Sequence, residues 1–210
     1  MRHGGCFMKM NLPNKLTVLR LLLVPVIVIV GMLPHIPFYL SCVICAVLFI
    51  GTSVTDMLDG KIARKYNLIT DFGKFLDPVA DKFMVIGAMF VILYKFENLH
   101  TLMIITLLVV VFRELAVTSM RLVVSTGNGI VIAANKLGKI KTVSQIVAVS
   151  TAFLEPVLQY IIVLIIGKEG RFLLSYFPLT WITIAFTIVM TLWSGINYIK
   201  AYWKYLDPQK

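Results

Sequence analysis

Residues 56–81 read DMLDGKIARKYNLITDFGKFLDPVAD, and they hold five of the ten acidic residues of a chain that is otherwise apolar and basic. Asp56 and Asp59 are three residues apart and Asp77 and Asp81 are four apart, so each pair shares one face of a helix. The flanking runs are hydrophobic and long enough to cross a bilayer, where an uncompensated carboxylate is costly. We therefore expect these four aspartates to meet at one membrane depth and to bind a cation there.

The composition is that of an integral membrane protein. Of 210 residues, 59% are hydrophobic and 14% are charged, and the mean hydropathy is +0.90. The apolar runs are continuous rather than alternating, which favours helices over a β-barrel. We predict a single all-α membrane domain covering residues 1–210, with six spans near the roughly 20 residues that a transmembrane helix needs. The predicted spans are 16–32, 38–55, 78–94, 99–124, 143–166 and 172–198.

Residues 1–15 precede the first span and form an N-terminal leader. Residues 8–14 mix apolar and polar side chains, which is compatible either with a short helix in the membrane interface or with a disordered segment. No small-residue cleavage site follows, so the first span is expected to be retained rather than removed as a signal peptide.

The distribution of lysine and arginine predicts the orientation. When each of the 20 Lys and Arg residues is assigned to the nearer helix end, all except Lys95, Lys168 and Arg171 fall on the side of residues 56–81. The positive-inside rule then places both termini and the acidic stretch on the cytoplasmic face of a multi-pass cell-membrane protein. The net charge of +10 lies in short connections, so we expect membrane lipids and phosphorylated substrates as partners, and no nucleic acid.

The acidic stretch has the chemistry of a metal site. Four carboxylates within reach of one another repel, and all-oxygen ligands favour Mg²⁺ or Mn²⁺ with substrate phosphates completing the shell. The small residues Gly60, Ala63 and Gly73 would let a ligand approach the backbone, and Arg64 can bind a phosphate. Asp71 is out of phase and is expected to cap or solvate the loop. The alternative, in which the four aspartates only cap helices or pair with lysines, leaves their common register unexplained.

The same stretch resembles the signature of the CDP-alcohol phosphotransferase family, Asp-x2-Asp-Gly-x2-Ala-Arg-x8-Gly-x3-Asp-x3-Asp, at every defined position. The six-span pattern agrees with that resemblance along the whole chain. The resemblance implies a homodimeric enzyme that displaces CMP from a CDP-linked lipid with an alcohol. It further implies that Asp56, Asp59 and Asp77 are ligands of two metal ions, that Asp81 is both ligand and base, and that the CDP-lipid is bound by Gly60, Ala63, Arg64 and Gly73.

The acceptor must be predicted from cations outside the signature. Ionisable residues within a span, here Arg113 and Glu114, are functional by default, although an ion pair between these two is possible. A basic run then enters the fifth span, where Lys136 and Lys141 could also be positive-inside anchors. We expect an acceptor that carries its own phosphate. The predicted glycerophosphate-binding residues are Arg113, Lys139, Lys141, Lys136, Arg20 and Arg121.

Residues 12–20 and 138–142 look like the branch of the family that uses glycerol phosphate. We therefore expect transfer of a phosphatidyl group from CDP-diacylglycerol to sn-glycerol 3-phosphate, giving phosphatidylglycerophosphate and CMP. Phosphatidylserine synthase and a CDP-alcohol type cardiolipin synthase share the signature and remain alternatives. A divalent-metal transporter would also place carboxylates in spans, but such sites usually lie near the midplane on broken helices. A purely structural membrane subunit leaves the aspartates unexplained.

Overall fold

The computed structural model describes residues 11–66, 70–128, 136–166 and 176–203, and these ranges contain helices and no strand. This confirms the predicted all-α fold. A short 3-10 turn, Glu97–Leu99, separates the third and fourth of the α-helices. In chain order the helices are α1 (Leu12–Met32), α2 (Phe38–Lys65), α3 (Asp71–Lys95), α4 (His100–Asn128), α5 (Lys136–Ile166) and α6 (Pro178–Tyr202).

Five of these helices, all except α3, contain a stretch that is long and apolar enough to cross a membrane. The protein is therefore a multi-pass membrane protein. The predicted third span, 78–94, lies within α3, but Asp77, Asp81 and Lys82 add charge to the first half of that helix. These charges explain why α3, which carries Asp77 and Asp81, lacks an apolar stretch as long as those of the other five helices in the described part of the chain.

Several predicted spans begin or end at different residues from the helices that contain them. Helix α2 continues to Lys65 rather than ending at 55, α3 begins at Asp71 rather than 78, and α5 begins at Lys136 rather than 143. Hydropathy detects only the lipid-embedded part of a helix, and these polar turns continue beyond it. The sixth helix begins later than predicted: Pro178 occupies its first turn, where the missing N–H costs nothing.

At the N-terminus, α1 begins at Leu12, so residues 12–14 form the first turn of the spanning helix. Residues 1–10 lie outside the described residues, and the interfacial helix therefore stays a prediction for that part of the leader. Pro13 lies in the first turn, a position where its fixed φ favours helix initiation.

Helices α1 and α3 approach each other closely because both carry glycine where they meet. A Cβ atom added to Gly31 would lie 2.2 Å from Cγ1 of Val91, and one added to Gly87 would lie 2.7 Å from Cγ1 of Val24. Val24 and Val91 are almost completely buried in the core. Cys42 and Cys45 are also completely buried and form no disulfide, so they serve as small residues of the same core.

We expect Gly31→Ala to destabilise the protein by about 1–3 kcal/mol, the usual cost of overpacking a close-packed core. The new methyl group would displace Val91, whose β-branched side chain has few alternative rotamers. Gly51→Ala is the matched control, because a Cβ atom at that helical position meets nothing within 4 Å. Thermal unfolding of the two variants in the same detergent should show a lower melting temperature for Gly31→Ala alone. An equal melting temperature for both variants would contradict the close α1–α3 packing.

A buried carboxylate attaches the beginning of α6 to α5. Glu155 accepts hydrogen bonds from the backbone N–H of Leu179 at 3.0 Å and of Thr180 at 2.7 Å, and from the Thr180 hydroxyl at 2.6 Å. These donors belong to the first turn of α6, where backbone N–H groups have no partner within the helix. The contact aligns the two helices, so that the later part of α6 reaches the site described next.

Candidate active site

The acidic centre is assembled around an arginine from the first helix. The Nη1 atom of Arg20 lies 2.6 Å from Oδ1 of Asp56 and 3.0 Å from Oδ1 of Asp81. The Arg20 side chain is only 2% exposed, whereas those of Asp56 and Asp81 are 39% and 44% exposed. The guanidinium therefore lies behind the two carboxylates, and their other oxygens remain open to a ligand.

Helix α1 also contacts the third described aspartate of the signature. The hydroxyl of Thr17 donates to Oδ1 of Asp77 at 2.7 Å. Three residues before Thr17, Asn14 accepts a hydrogen bond from the Thr70 hydroxyl at 3.0 Å through its Oδ1 atom. A Cβ atom on Gly73 would lie 2.9 Å from that same Oδ1 atom and 3.8 Å from Oδ2 of Asp77. Glycine at position 73 therefore lets α1 reach the beginning of α3.

The fifth acidic residue of the stretch points away from this centre. Thr70, rather than Asp71, caps α3, because its hydroxyl accepts from the N–H of Gly73 at 3.1 Å. Asp71 is fully solvated and pairs with Lys74 at 2.9 Å, and this hydrogen bond lowers the pKa of the Asp71 carboxyl. The expectation that Asp71 stands apart from the other four is confirmed, and of its two predicted roles the solvated one is observed whereas the capping one belongs to Thr70.

A second cluster of charges forms around Glu114 of α4. Its Oε1 atom accepts from Arg113 at 3.0 Å and also contacts Nζ of Lys141, while Lys82 lies 3.8 Å from Oε2. Arg113 also donates to the hydroxyl of Ser194 on α6 at 2.8 Å. The possible ion pair between Arg113 and Glu114 is therefore present. One carboxylate holds three cations from three helices in place, which leaves the cluster with a net positive charge.

The acidic and basic groups face a common cavity of about 740 Å³. Its polar lining combines Asp56 and Asp81 with four predicted acceptor-binding cations, namely Arg113, Arg121, Lys139 and Lys141. Its apolar wall comes from α2 and α5, with Ile50, Val54, Met57, Val143, Ile146 and Val147. A ligand with both phosphate groups and apolar chains matches this combination of walls.

The remaining predicted residues are distributed as follows. Asp77 lines a neighbouring cavity of about 250 Å³ that shares Asp81, Glu114 and Lys141 with the first. Arg20 was predicted with the acceptor-binding cations, but it contacts the aspartates and lines neither cavity. Gly60 lies on α2 and is partly exposed. The side chains of Asp59, Ala63, Arg64 and Lys136 lie outside the described residues.

The aspartates suit a hard divalent cation by their chemistry. Every signature ligand is a carboxylate oxygen, and Arg20 compensates only one of four negative charges. Among the side chains that the structure describes, which exclude Asp59, no three candidate ligands already surround one point. Substrate phosphates would have to complete the shell, as they commonly do around Mg²⁺.

Sequence reasoning missed several residues of the site. Asn14 and Thr17 contact the acidic centre from α1, Ser194 binds Arg113, and Tyr198 accepts from Nε of Arg121 at 3.4 Å. Thr17 and Asp77 are 60 positions apart, and Arg113 and Ser194 are 81 apart. Local spacing carries no information about such contacts. The only available signal was the resemblance of residues 12–20 to a family segment.

A family model described as CDP-alcohol phosphatidyltransferase matches residues 10–193. This chain belongs to the CDP-alcohol phosphatidyltransferase family. The match includes α1, both aspartate pairs, the cation cluster and most of α6, so it covers every contact described above except those made by Ser194 and Tyr198.

Individual members of the CDP-alcohol phosphatidyltransferase family are similar over nearly their full length. A protein of Bacillus subtilis (strain 168) is 40% identical over 211 residues, covering 93% of this chain and 97% of the relative. A Rickettsia felis protein is 34% identical with the same coverages, and one from Yersinia enterocolitica is 31% identical over 96% of this chain and 100% of the relative. All three are named CDP-diacylglycerol–glycerol-3-phosphate 3-phosphatidyltransferase.

Proposed function

We propose that this enzyme transfers the phosphatidyl group of CDP-diacylglycerol to sn-glycerol 3-phosphate, giving phosphatidylglycerophosphate and CMP in phospholipid biosynthesis. The observation that carries the proposal is the full-length similarity to relatives named for this reaction. The cavity supports it, because four cations face the signature aspartates and suit an acceptor that is itself an anion. Serine, the acceptor of the phosphatidylserine synthase alternative, has no phosphate to bind them.

The two substrates occupy different parts of the site in this proposal. The CDP group lies against the signature, near Gly60, Ala63, Arg64 and Gly73, with its acyl chains along the apolar wall between α2 and α5. The phosphate of glycerol 3-phosphate binds Arg113 and Lys141, with Lys139, Lys136 and Arg121 around them. Arg20 instead orients Asp56 and Asp81, because it is buried behind their carboxylates.

The reaction is a displacement at phosphorus. The acceptor hydroxyl attacks the lipid-linked phosphorus of the diphosphate, the new P–O bond forms, and the bond to CMP breaks with its electron pair on CMP. By the family resemblance, Asp81 accepts the proton of the attacking hydroxyl, and its partly exposed carboxylate beside Arg20 is accessible for this role. Asp56, Asp59, Asp77 and Asp81 would hold Mg²⁺ or Mn²⁺, two ions by family resemblance, which neutralise the diphosphate and the leaving group.

The charge asymmetry of the chain supports a cell-membrane enzyme whose site and termini are cytoplasmic. A cytoplasmic site would give access to water-soluble glycerol 3-phosphate, while the apolar wall would admit the lipid from the bilayer. The family resemblance supports a homodimer.

The test is CMP release by the purified full-length enzyme from CDP-diacylglycerol with a divalent metal. We expect release with sn-glycerol 3-phosphate and little with serine, glycerol or phosphatidylglycerol. Preferred use of serine would indicate phosphatidylserine synthase, and preferred use of phosphatidylglycerol would indicate cardiolipin synthase. Absence of release with every alcohol, together with metal uptake into proteoliposomes, would favour the transporter alternative.

We expect Arg113→Ala to raise the KM for glycerol 3-phosphate by about 10- to 150-fold, the range for loss of one charge-assisted contact. The KM for CDP-diacylglycerol should change little, because Arg113 contacts α6 and Glu114 rather than the signature. Arg113→Lys is the control, since it keeps the charge but loses the planar fork, and its KM should be intermediate. Steady-state kinetics with each substrate varied in turn would measure both constants. A rise in the CDP-diacylglycerol KM alone would contradict this assignment.

A further inference from the structure

A buried glutamine lines the smaller cavity without a hydrogen-bond partner. The side chain of Gln145 on α5 is 3% exposed, and its Nε2 atom makes no hydrogen bond with any described residue. A buried amide donor left without a hydrogen-bond partner is destabilising, so such groups normally have a partner in the working protein. The unpaired donor therefore marks a place where a polar ligand group is missing.

The surroundings of Gln145 indicate which ligand supplies that group. Gln145 lies one helical turn after Lys141, and the cavity of about 250 Å³ that it lines also contains Asp77, Asp81 and Glu114. Asp81, Glu114 and Lys141 line the larger cavity as well, so the two spaces meet at the proposed base and at one of the proposed phosphate-binding cations, Lys141. This junction suits a small polar acceptor.

The geometry of phosphoryl transfer agrees with such an arrangement. Attacking and leaving oxygens lie roughly in line on opposite sides of phosphorus. In this arrangement the acyl chains and diphosphate of the CDP-lipid lie in the larger cavity, and the glycerol unit of the acceptor lies beside Asp81 where the two cavities meet. Its phosphate then reaches Lys141 and its primary hydroxyl reaches Asp81, which leaves the secondary hydroxyl of the glycerol unit for Gln145.

We infer that Gln145 is a specificity-determining residue that donates a hydrogen bond to the non-reacting secondary hydroxyl of glycerol 3-phosphate. The inference rests on the proposed function, because it assigns a contact to the acceptor of that reaction. The hydrogen bond from Gln145 would distinguish glycerol 3-phosphate from phosphorylated alcohols that lack this hydroxyl. A site built to bond a substrate hydroxyl discriminates well against an analogue without it, since the buried donor is then left unpaired.

The experiment compares two acceptors in the full-length enzyme at saturating CDP-diacylglycerol. The second acceptor is 3-hydroxypropyl phosphate, which is glycerol 3-phosphate without the secondary hydroxyl. We expect the wild type to favour glycerol 3-phosphate in kcat/KM by about 10-fold or more, the effect of one buried hydrogen bond. Gln145→Met should remove this preference by lowering kcat/KM for glycerol 3-phosphate alone, and the KM for CDP-diacylglycerol should stay constant.

Gln159→Met is the matched control. Gln159 is a buried glutamine on the same helix, but its Nε2 atom donates to the backbone oxygen of Tyr176 at 2.5 Å, away from both cavities. Its replacement should leave the preference between the two acceptors intact, whatever it does to stability. If Gln145→Met does not fold, Gln145→Leu also removes the donor without adding a charge or an acceptor, and the loss of preference is expected there.

Equal loss of activity towards both acceptors in the Gln145 variants would overturn the inference, because a structural role lowers both alike. Equal use of the two acceptors by the wild type would overturn it as well, while leaving the proposed function intact. A wild type that releases no CMP with glycerol 3-phosphate would instead overturn the proposed function itself.

Discussion

Asp77→Asn and Asp81→Asn variants are expected to release CMP at below about 1% of the wild-type rate, since loss of a catalytic base or of charge stabilisation costs two or more orders of magnitude. Asp56→Asn and Asp59→Asn should have similarly low activity. In each case one negative charge that we propose holds metal is lost, and for Asp81 the proposed proton acceptor is lost as well. Release of CMP from CDP-diacylglycerol with saturating glycerol 3-phosphate measures the effect.

The fold should survive these changes. Asparagine at position 77 keeps an oxygen that can accept from the Thr17 hydroxyl, and Arg20 retains one carboxylate when either Asp56 or Asp81 is replaced. Asp71→Asn is the matched control, because Asp71 lies in the same stretch but is solvated and pairs only with Lys74 in the contacts described above. It should keep near-wild-type activity. Near-normal CMP release from any two of the four signature variants would refute the assignment.

Removal of divalent metal is expected to abolish activity, and addition of Mg²⁺ or Mn²⁺ to restore it. The carboxylate oxygens of the signature are hard ligands that match these ions, and substrate phosphates would supply further oxygen ligands. Ca²⁺ should restore activity poorly, because its larger and looser shell positions phosphate less strictly. Full activity in metal-depleted buffer after thorough chelation would rule out the proposed mechanism.

Metal binding should also be measurable without turnover. A ligand that binds only the folded state stabilises it, by about 2.7 kcal/mol at a concentration of 100 times its Kd. We therefore expect Mg²⁺ or Mn²⁺ to raise the melting temperature of the wild type and to have a smaller effect on Asp56→Asn and Asp77→Asn. The Asp71→Asn control should respond as the wild type does. An equal metal response in all of these proteins would place the ion elsewhere.

Much of this protein could be predicted from local patterns in the chain. The apolar runs predicted helices that cross a membrane, because the length of such a run reflects the bilayer thickness. The spacing of Asp56, Asp59, Asp77 and Asp81 predicted two helical faces, since helical periodicity acts over three or four residues. The family signature and the prediction of an anionic acceptor followed from the same short-range information, and the full-length relatives support both.

Contacts between distant segments could not be predicted in this way. The hydropathy pattern predicted only the lipid-embedded part of α5, residues 143–166. It did not predict the polar first turns of this helix, which place Lys139 and Lys141 at the cavity. Arg20 has the charge of a phosphate-binding residue, and the sequence alone therefore suggested that role. Its position behind Asp56 and Asp81 depends on the packing of α1 against α3 at Gly31 and Gly87, which is seen only in the tertiary structure. The partners of Arg20 depend on which helix faces lie together. Close packing between residues some 60 positions apart determines which helix faces lie together, and a local sequence pattern contains no information about such contacts.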